Sequence, residues 1–272
     1  MTRPLATTDL ATDAMLARQE RLHASLATAV PGSAWRLLRT ERGPSVRDSD
    51  RFVEHGHRDV FDRELLGVRE GVVRMGELVS VAIDTAVGAL ARNDIDAAAE
   101  VVLNDRVINA AHADLTNLII TTIATQAPVA GDLRFVLSLS HVTYELERIG
   151  DHAAGVAKQV ARTGTTRTSG RAGLDRMGEL ASAILHGVLR ALVDLDADAA
   201  RRVAAQDDEI DRLYHAYFER ALERMRVEPD WVDAGAHLLF AAKDLERIGD
   251  RVTNIAEEVV FLATGEVEDL NA

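Results

Sequence analysis

The sequence contains no cysteine, and only five of its 272 residues are proline. Without cysteine there are no disulfides, thiolate nucleophiles or cysteine-ligated metal sites, which leaves carboxylates and nine histidines as the strong metal ligands. No apolar run approaches the roughly 18 to 20 residues that a membrane-spanning helix needs. Asp9 and Asp13 stand where a secretory signal would have an uninterrupted apolar core. These absences predict a cytoplasmic protein without direct membrane insertion.

The chain also has fewer basic residues than acidic ones. The chain has 31 Lys and Arg against 44 acidic residues, for a net charge of -13. Since residues 1–58 carry nine Arg and seven acids, the remainder of the chain carries -15. A surface with the sign of the phosphate backbone releases no counterions on contact with it, so we expect no nucleic-acid partner. Cations and basic protein surfaces fit this charge better.

Apolar residues recur at helical spacing from about Phe61 onward, which predicts an all-α protein with six long helices. The residues expected to interrupt the helices are Asn93-Asp94, Pro128, a Gly-rich and Thr-rich segment, Asp196, and Glu228-Pro229-Asp230. The expected helices cover about 59–91, 95–125, 129–162, 174–195, 197–227 and 231–264.

The two halves of this helical region are copies of one unit. RMGEL at Arg74–Leu78 recurs 102 residues later, and LERIGD at Leu146–Asp151 recurs 99 residues later. Helices joined by short turns return alongside one another, so we expect a tandem duplication of an antiparallel three-helix bundle. The repeats are predicted at 59–162 and 174–266, with a linker at 163–173. Residues 1–58 are predicted to be an N-terminal extension, either a poorly ordered tail, a docking arm or the product of a misassigned start codon.

Acidic residues four apart, and therefore neighbours on a helix, recur at matched positions of the repeats. The pairs are Glu147 with Asp151, Glu246 with Asp250, Asp207 with Asp211 and, at the first-repeat equivalent of the last, Asp105 with Asn109. Like charges at this spacing destabilise a helix by roughly 0.2 to 0.5 kcal/mol per pair, and a helical glycine such as Gly150 or Gly249 costs roughly 1 kcal/mol relative to Ala. A bound cation would offset the repulsion. Carboxylate oxygens suit Fe, Mn, Mg or Ca, and nitrogen ligands such as His152 would add Zn or Ni.

Three interpretations of these acids remain open at this point. On a helical wheel they lie opposite the apolar stripe, facing a groove or solvent, where an ordinary charged face is also common. The first interpretation is a binding protein whose surface carboxylates hold a metal without catalysis. A metal-dependent enzyme is the second interpretation, although it would need an enclosed pocket and a general base. The third is a helical scaffold without metal. Arg148 and Arg247 are expected to be salt-bridge partners of the acids, and His141, His152 and His237 look isolated in sequence. We predict no catalytic residue.

The helical region resembles the PhoU family of accessory regulators of phosphate-specific transport. The resemblance rests on FDREL at Phe61–Leu65, the two RMGEL and two LERIGD segments, Gln126-Ala127-Pro128 followed by DLR, and TNIAEEV at Thr253–Val259. It covers Phe61–Glu266, both repeats in order, and about three quarters of the chain.

Several expectations follow from this resemblance. It implies two three-helix bundles, often dimeric, without enzymatic activity, that repress the phosphate-starvation response and restrain phosphate uptake. The implied partners are the ATPase subunit of an ABC-type phosphate transporter and a membrane sensor histidine kinase. Some members bind iron or other metals on the outer surface through Glu/Asp-x-x-x-Asp motifs, which map here onto Glu147 with Asp151, Glu246 with Asp250, and Asp207 with Asp211.

The sequence departs from the family pattern mainly in the first repeat. Asn109 replaces a usual carboxylate there, Lys158 aligns with Glu257 of the second repeat, and Gly155 aligns with Asn254. We therefore expect weaker metal binding at Asp105, Glu147 and Asp151 than in the second repeat.

Overall fold

A computed structural model describes residues 51–163 and 170–271 of the chain, with side chains from Val60 onward. Seven α-helices and one 3₁₀ turn make up these two stretches, which contain no β-strand. The predictions for residues 1–50 and for most of the linker concern residues outside this description. The helices are α1 (Arg51–Arg92), α2 (Ile95–Gln126), α3 (Gly131–Arg162), α4 (Leu174–Asp194), α5 (Ala197–Ala204), α6 (Asp207–Val227) and α7 (Val232–Thr264), with the 3₁₀ turn at Pro229–Trp231.

The turn after the first helix is built in the same way in both repeats. Asp94 caps α2 by accepting a hydrogen bond from the backbone N–H of Ala97, at 3.0 Å. Asp196, 102 residues later, caps α5 by accepting from Ala199 at 2.8 Å. A carboxylate at this position satisfies a backbone donor that the first helical turn leaves free. The duplication therefore extends to the signals that end one helix and start the next.

Two of the expected helices differ from the structure. The first helix begins at Arg51, eight residues earlier than predicted. The helix predicted over 197–227 is two helices, because Ala205 and Gln206 form a turn between α5 and α6. The new helix starts with three acids in its first turn, Asp207, Asp208 and Glu209, which the positive end of the helix dipole favours. The break places Asp207 at a helix start, where it is buried against α7.

The two repeats pack on each other through equivalent helices. Helix α3 lies along α7, and α1 lies along α4. Glycines of the two RMGEL segments bring α1 and α4 close together. A Cβ at Gly76 would lie 2.6 Å from Leu189 Cδ1, and one at Gly178 would clash with Val87. Because the pairs Gly76–Leu189 and Val87–Gly178 are related by the 102-residue offset, the contact has internal two-fold symmetry.

The core is built from aliphatic side chains of the long helices. Along α7 the fully buried positions include Leu245, Ile248, Val252, Ile255 and Val259, which is the stripe that the helical wheel predicts. Trp231, buried in the 3₁₀ turn, closes the core at the start of this helix. Across the two described stretches, none of the helices combines the length and apolar character that a membrane crossing requires.

Candidate metal centre

The second repeat brings three of the predicted acids together. Asp211 of α6 and Glu246 and Asp250 of α7 each offer a carboxylate oxygen, and these oxygens all lie within 4.8 Å of one another. We call these three residues the repeat-two cluster. Only 13% of the Glu246 side chain and 32% of the Asp250 side chain are exposed. These carboxylates therefore lie along the line where α6 and α7 meet at the surface, which we call the α6–α7 seam. Three hard oxygen donors from two helices form a partial shell that suits a divalent cation.

Asp207 lies beneath the cluster, 8% exposed, at the first position of α6. The hydroxyl of Thr253 donates to its Oδ2 at 3.3 Å, and its Oδ1 has no hydrogen-bond partner. Burial, followed by the negative charges of Asp211 and Asp250, raises the pKa of Asp207 to about 7. Asp207 Oδ1 packs against Gly249, and the ligand-distance group formed by Asp211, Glu246 and Asp250 does not include Asp207, so this predicted ligand adds charge beside the cluster and is not one of its three donors.

Gly249 makes room for Asp207. A Cβ at Gly249 would occupy the place of the Asp207 carboxylate, and a Cβ at the equivalent Gly150 would lie 3.1 Å from Ile108. The two glycines of the LERIGD segments are therefore required by close helix packing. Their presence in both repeats supports the metal interpretation only at Gly249, where the packed side chain belongs to the acidic group.

Two basic side chains share the seam with these acids. Lys243 Nζ donates to both oxygens of Glu246, at 2.5 and 2.6 Å, and Arg247 donates to Asp250 at 3.2 Å. Burial, followed by the charge of Asp250, still raises the pKa of Asp211. The positive charges of His215 and Lys243 offset only part of this increase in the pKa of Asp211. Arg247 is the ion-pair partner that the sequence predicted; Lys243 was missed, although its position three residues before Glu246 is a recognisable signal.

The first repeat holds a weaker version of the same arrangement. Asp105, Glu147 and Asp151 interact through their charges, and burial followed by the charge of Asp151 raises the pKa of both Asp105 and Glu147. Asn109 donates its side-chain N–H to Asp105 at 3.2 Å. This hydrogen bond and the positive charge of Lys158 offset part of the increase in the pKa of Asp105. Within residues 51–163 and 170–271, the three acids that lie within ligand distance of one another are Asp211, Glu246 and Asp250. The first-repeat acids do not form such a group. This difference in geometry supports the expectation of weaker metal binding in the first repeat, which stays a prediction.

The histidines that look isolated in sequence pair across the α3–α7 interface. His152 Nδ1 lies 3.1 Å from Asp244 Oδ1, and the 99-residue equivalent of that contact is the ion pair of Arg251 with Glu145 at 3.3 Å. A Cβ at Gly155 would clash with the Asp244 carboxylate, so the glycine that departs from the family pattern allows this approach.

Two further histidines join the same helices. His141 lies 2.8 Å from Glu258, and His237 lies 3.0 Å from Gln159. The three histidines are isolated in sequence but paired in the fold, where they have a structural role in connecting the repeats.

The fold and site define a class: an all-helical protein of two homologous three-helix repeats, with paired acidic groups between the second and third helical segments of each repeat. A family profile described as "PhoU domain" matches residues 72–160 and 174–259. The chain belongs to the PhoU family. This result confirms the resemblance and the fold class predicted from the sequence.

Individual relatives match over most of their length. The chain is 35% identical over 217 residues to the phosphate-specific transport system accessory protein PhoU homolog of Rhizobium meliloti strain 1021, covering 78% of this chain and 91% of the relative. It is 36% identical over 214 residues to the homolog of the same name from Zymomonas mobilis strain ZM4, covering 78% and 90%.

Solved structures of the family share the fold. The crystal structure of the phosphate transport system regulatory protein PhoU from Streptococcus pneumoniae matches with a TM-score of 0.73 and 32% identity, over 77% of this chain and 99% of that one. The crystal structure of PhoU from Pseudomonas aeruginosa gives the same TM-score and identity, over 76% and 100%. The relatives are accessory and regulatory proteins of phosphate transport by name, and they support a regulatory role here.

Proposed function

We propose that this protein is a cytoplasmic negative regulator of the phosphate-starvation response. It acts as an adaptor between the ATPase subunit of an ABC-type phosphate transporter and a sensor histidine kinase, and it restrains phosphate uptake. The observation that carries the proposal is the match of both repeats, 72–160 and 174–259, to the PhoU domain, together with relatives named as accessory proteins of phosphate transport. A homodimer is the proposed assembly.

Charge supplies the means of recognition. The repeats and their flanking segments carry a net charge of -15, so their field attracts basic surfaces on the transporter ATPase and the kinase. Such steering acts mainly on the association rate. Screening shortens the reach of the field to about 8 Å at physiological ionic strength, so added salt is expected to slow association. An association rate that does not respond to salt would remove this part of the proposal.

The repeat-two cluster is the proposed metal site. Asp211, Glu246 and Asp250 would hold the ion, and the buried Asp207, which is not part of this ligand-distance group, would act on it through its charge. The donor set is all carboxylate, which suits iron, Mn or Mg, with Zn or Ni as weaker fits in the absence of nitrogen donors. The ion would supply positive charge between α6 and α7. Asp105, Glu147 and Asp151 would form the weaker site of the first repeat.

The position of these partly exposed carboxylates at the surface between two helices supports binding rather than catalysis. The three donors of the repeat-two cluster lie along a helix seam, without the enclosure that strengthens electrostatic catalysis by excluding water. Lys243 and Arg247, the basic groups beside them, are engaged in ion pairs. For these reasons we do not assign the metal-dependent enzyme interpretation.

Complementation tests the regulatory role. A strain lacking this gene is expected to have high alkaline phosphatase activity in phosphate-rich medium, and the full-length gene is expected to silence it. A form starting at Arg51 with a new initiator Met keeps all of α1, whereas a form starting at Phe61 removes its first ten residues. Silencing by the Arg51 form would assign the function to the repeats. Unchanged activity in the deletion strain would contradict the proposal.

A further inference from the structure

Four side chains form an exposed patch next to the repeat-two cluster. Tyr214 and Phe218 lie on α6, with ring centroids 6.1 Å apart, and Lys243 of α7 places its Nζ 5.1 Å from the centre of the Tyr214 ring. Phe240, three residues before Lys243, is 61% exposed, and Phe218 is 36% exposed. We call these four residues the aromatic patch.

The register of the two helices places Phe240 of α7 beside Phe218 of α6 on the same face of the helix pair. Helices α6 and α7 run antiparallel, because Asp207 at the start of α6 packs on Gly249 and Met225 near its end packs on Gly235. Starting from the Tyr214–Lys243 contact, one turn toward the end of α6 reaches Phe218. One turn toward the start of α7 reaches Phe240. The three rings therefore lie on one continuous face of the α6–α7 pair.

The fold does not require aromatic residues at these positions. The first repeat has the same helix pair, and its equivalent residues are His112, Thr116, His141 and Tyr144. That repeat forms the same kind of bundle with no phenylalanine at the four positions and with polar residues at three of them, His112, Thr116 and His141. The exposed part of each phenylalanine places apolar area in water, which single domains usually limit unless the area is a binding surface.

The patch continues directly into negative charge. Asp211 is one helical turn from Tyr214, and Glu246 is one turn from Lys243. Lys243 pairs with Glu246 and Arg247 pairs with Asp250, so Asp211 is the surface acid that these two pairs leave unbalanced, with Asp207 buried beneath it. The surface therefore has an apolar half and an acidic half, each about one to two turns long. Its complement is a helix with apolar residues on one face and Lys or Arg one turn away.

We propose that the aromatic patch and the adjoining repeat-two cluster are the docking site for a cationic amphipathic helix of a partner protein. Phe218 and Phe240 receive the apolar face of that helix, and Asp211, Glu246 and Asp250 receive its basic side chains in place of a metal ion, so the helix and the ion are alternative occupants of the cluster. This inference rests on the proposed adaptor function, because it assigns the partner contact to one face of the second repeat. Large rings at the centre of an interface carry a disproportionate share of its binding energy, which places the main energetic contribution on the two phenylalanines.

The test compares matched surface variants of the full chain. The probes are the purified transporter ATPase subunit and the purified cytoplasmic region of the phosphate-responsive sensor kinase from the same organism. Binding constants are measured for the wild-type protein, for the double variant Phe218→Ser/Phe240→Ser, and for the control Ile120→Ser. Ile120 is 58% exposed on α2, so the control removes an exposed apolar side chain of the first repeat. Circular dichroism and thermal unfolding establish that the variants keep the fold.

The expected result is at least a tenfold loss of affinity for one of the two probes in the double variant, with Ile120→Ser within twofold of wild type. Wild-type affinity in the double variant, with clear binding by the wild-type protein, would overturn the docking site and leave the adaptor function intact. If the wild-type protein binds neither probe, the docking site and the adaptor role both fail. The alkaline phosphatase assay then decides separately whether the protein represses the starvation response.

Discussion

The carboxylate of Asp207 lies against Gly249, in the space that a Cβ atom would fill. This contact joins the start of α6 to the middle of α7. It places a buried acid, with one oxygen unpartnered, directly beneath the repeat-two cluster. The first-repeat equivalent of the glycine, Gly150, packs on the aliphatic Ile108. The isoleucine contact occurs in both repeats, at Gly150 with Ile108 and at Gly249 with Ile210, and the second repeat adds the acidic contact of Asp207.

The first prediction compares alanine at the two glycines. Replacing a helical Gly by Ala contributes roughly 1 kcal/mol of helix propensity, but overpacking a tight site costs about 1 to 3 kcal/mol. Gly249→Ala forces the Asp207 carboxylate to move, whereas Gly150→Ala asks only for a small shift of the Ile108 side chain. We expect Gly249→Ala to be less stable than Gly150→Ala by about 1 to 2 kcal/mol in urea unfolding. Equal stabilities would contradict the close contact at Gly249.

The second prediction concerns pH. The pKa of Asp207 is raised in the folded protein from 3.8 to about 7, so between these values the folded state holds a proton that the unfolded state has released. Stability is therefore expected to fall as the pH rises from about 4 to 7 and to level off above 7. The raised pKa of Asp211, Asp105 and Glu147 adds to the same trend.

Asp207→Asn isolates this contribution. The amide cannot ionise, so in the variant the free energy of unfolding is expected to change less with pH. The difference amounts to up to a few kcal/mol across this range, at about 1.4 kcal/mol per pKa unit. The measurement is the free energy of unfolding in urea at several pH values, in chelator-treated protein. A slope as steep in the variant as in the wild-type protein would show that Asp207 is not its source.

The third prediction compares metal binding by the two repeats. Glu246→Ala/Asp250→Ala removes two of the three donors of the repeat-two cluster, and Glu147→Ala/Asp151→Ala is the matched change in the first repeat. We expect the second-repeat variant to lose most of the bound metal and the first-repeat variant to lose little. Elemental analysis of protein purified without a chelator or a His tag gives the metal content, and circular dichroism gives the helicity. Wild-type metal content in the second-repeat variant would refute the assignment of the site.

The fourth prediction concerns the contact between the repeats. Arg251 donates to Glu145 across the α3–α7 interface, and only 12% of the Glu145 side chain is exposed. Arg251→Ala leaves that carboxylate without its cation, and it is expected to destabilise the protein by about 1 to 3 kcal/mol. Arg212→Ala, which removes a largely exposed ion pair with Glu209, is the control and is expected to change stability by less than about 1 kcal/mol. A similar effect of both variants would argue against a structural role for the inter-repeat pair.

Much of the architecture follows from periodicity and repetition. The apolar stripe of α7, the aspartate caps at Asp94 and Asp196, and the two copies of LERIGD are each visible in the sequence. Five of the six predicted helix starts lie within two residues of the structure. The break at Ala205 and Gln206 was not predicted, because neither residue disfavours a helix strongly. The tertiary position of Asp207 against Gly249 is not encoded in local propensity.

The site was predictable to a smaller extent. Spacing along one helix identifies Glu246 with Asp250, but it does not show that Asp211 of another helix lies within ligand distance of both. The wheel correctly turns these acids away from the main core, yet it cannot show that Asp207 is buried. Contacts such as His152 with Asp244 depend on how two distant helices cross, so only the folded arrangement reveals them.

The most direct test of the account links the repeat-two cluster to regulation in the cell. Glu246→Ala/Asp250→Ala is introduced at the chromosomal locus, and alkaline phosphatase activity is measured in phosphate-rich medium beside the wild-type and deletion strains, with protein levels compared by immunoblot. The account predicts that the variant accumulates normally and loses repression, with activity approaching that of the deletion strain. Full repression by the variant, in the presence of high activity in the deletion strain, would contradict a role for these carboxylates in the function of the protein.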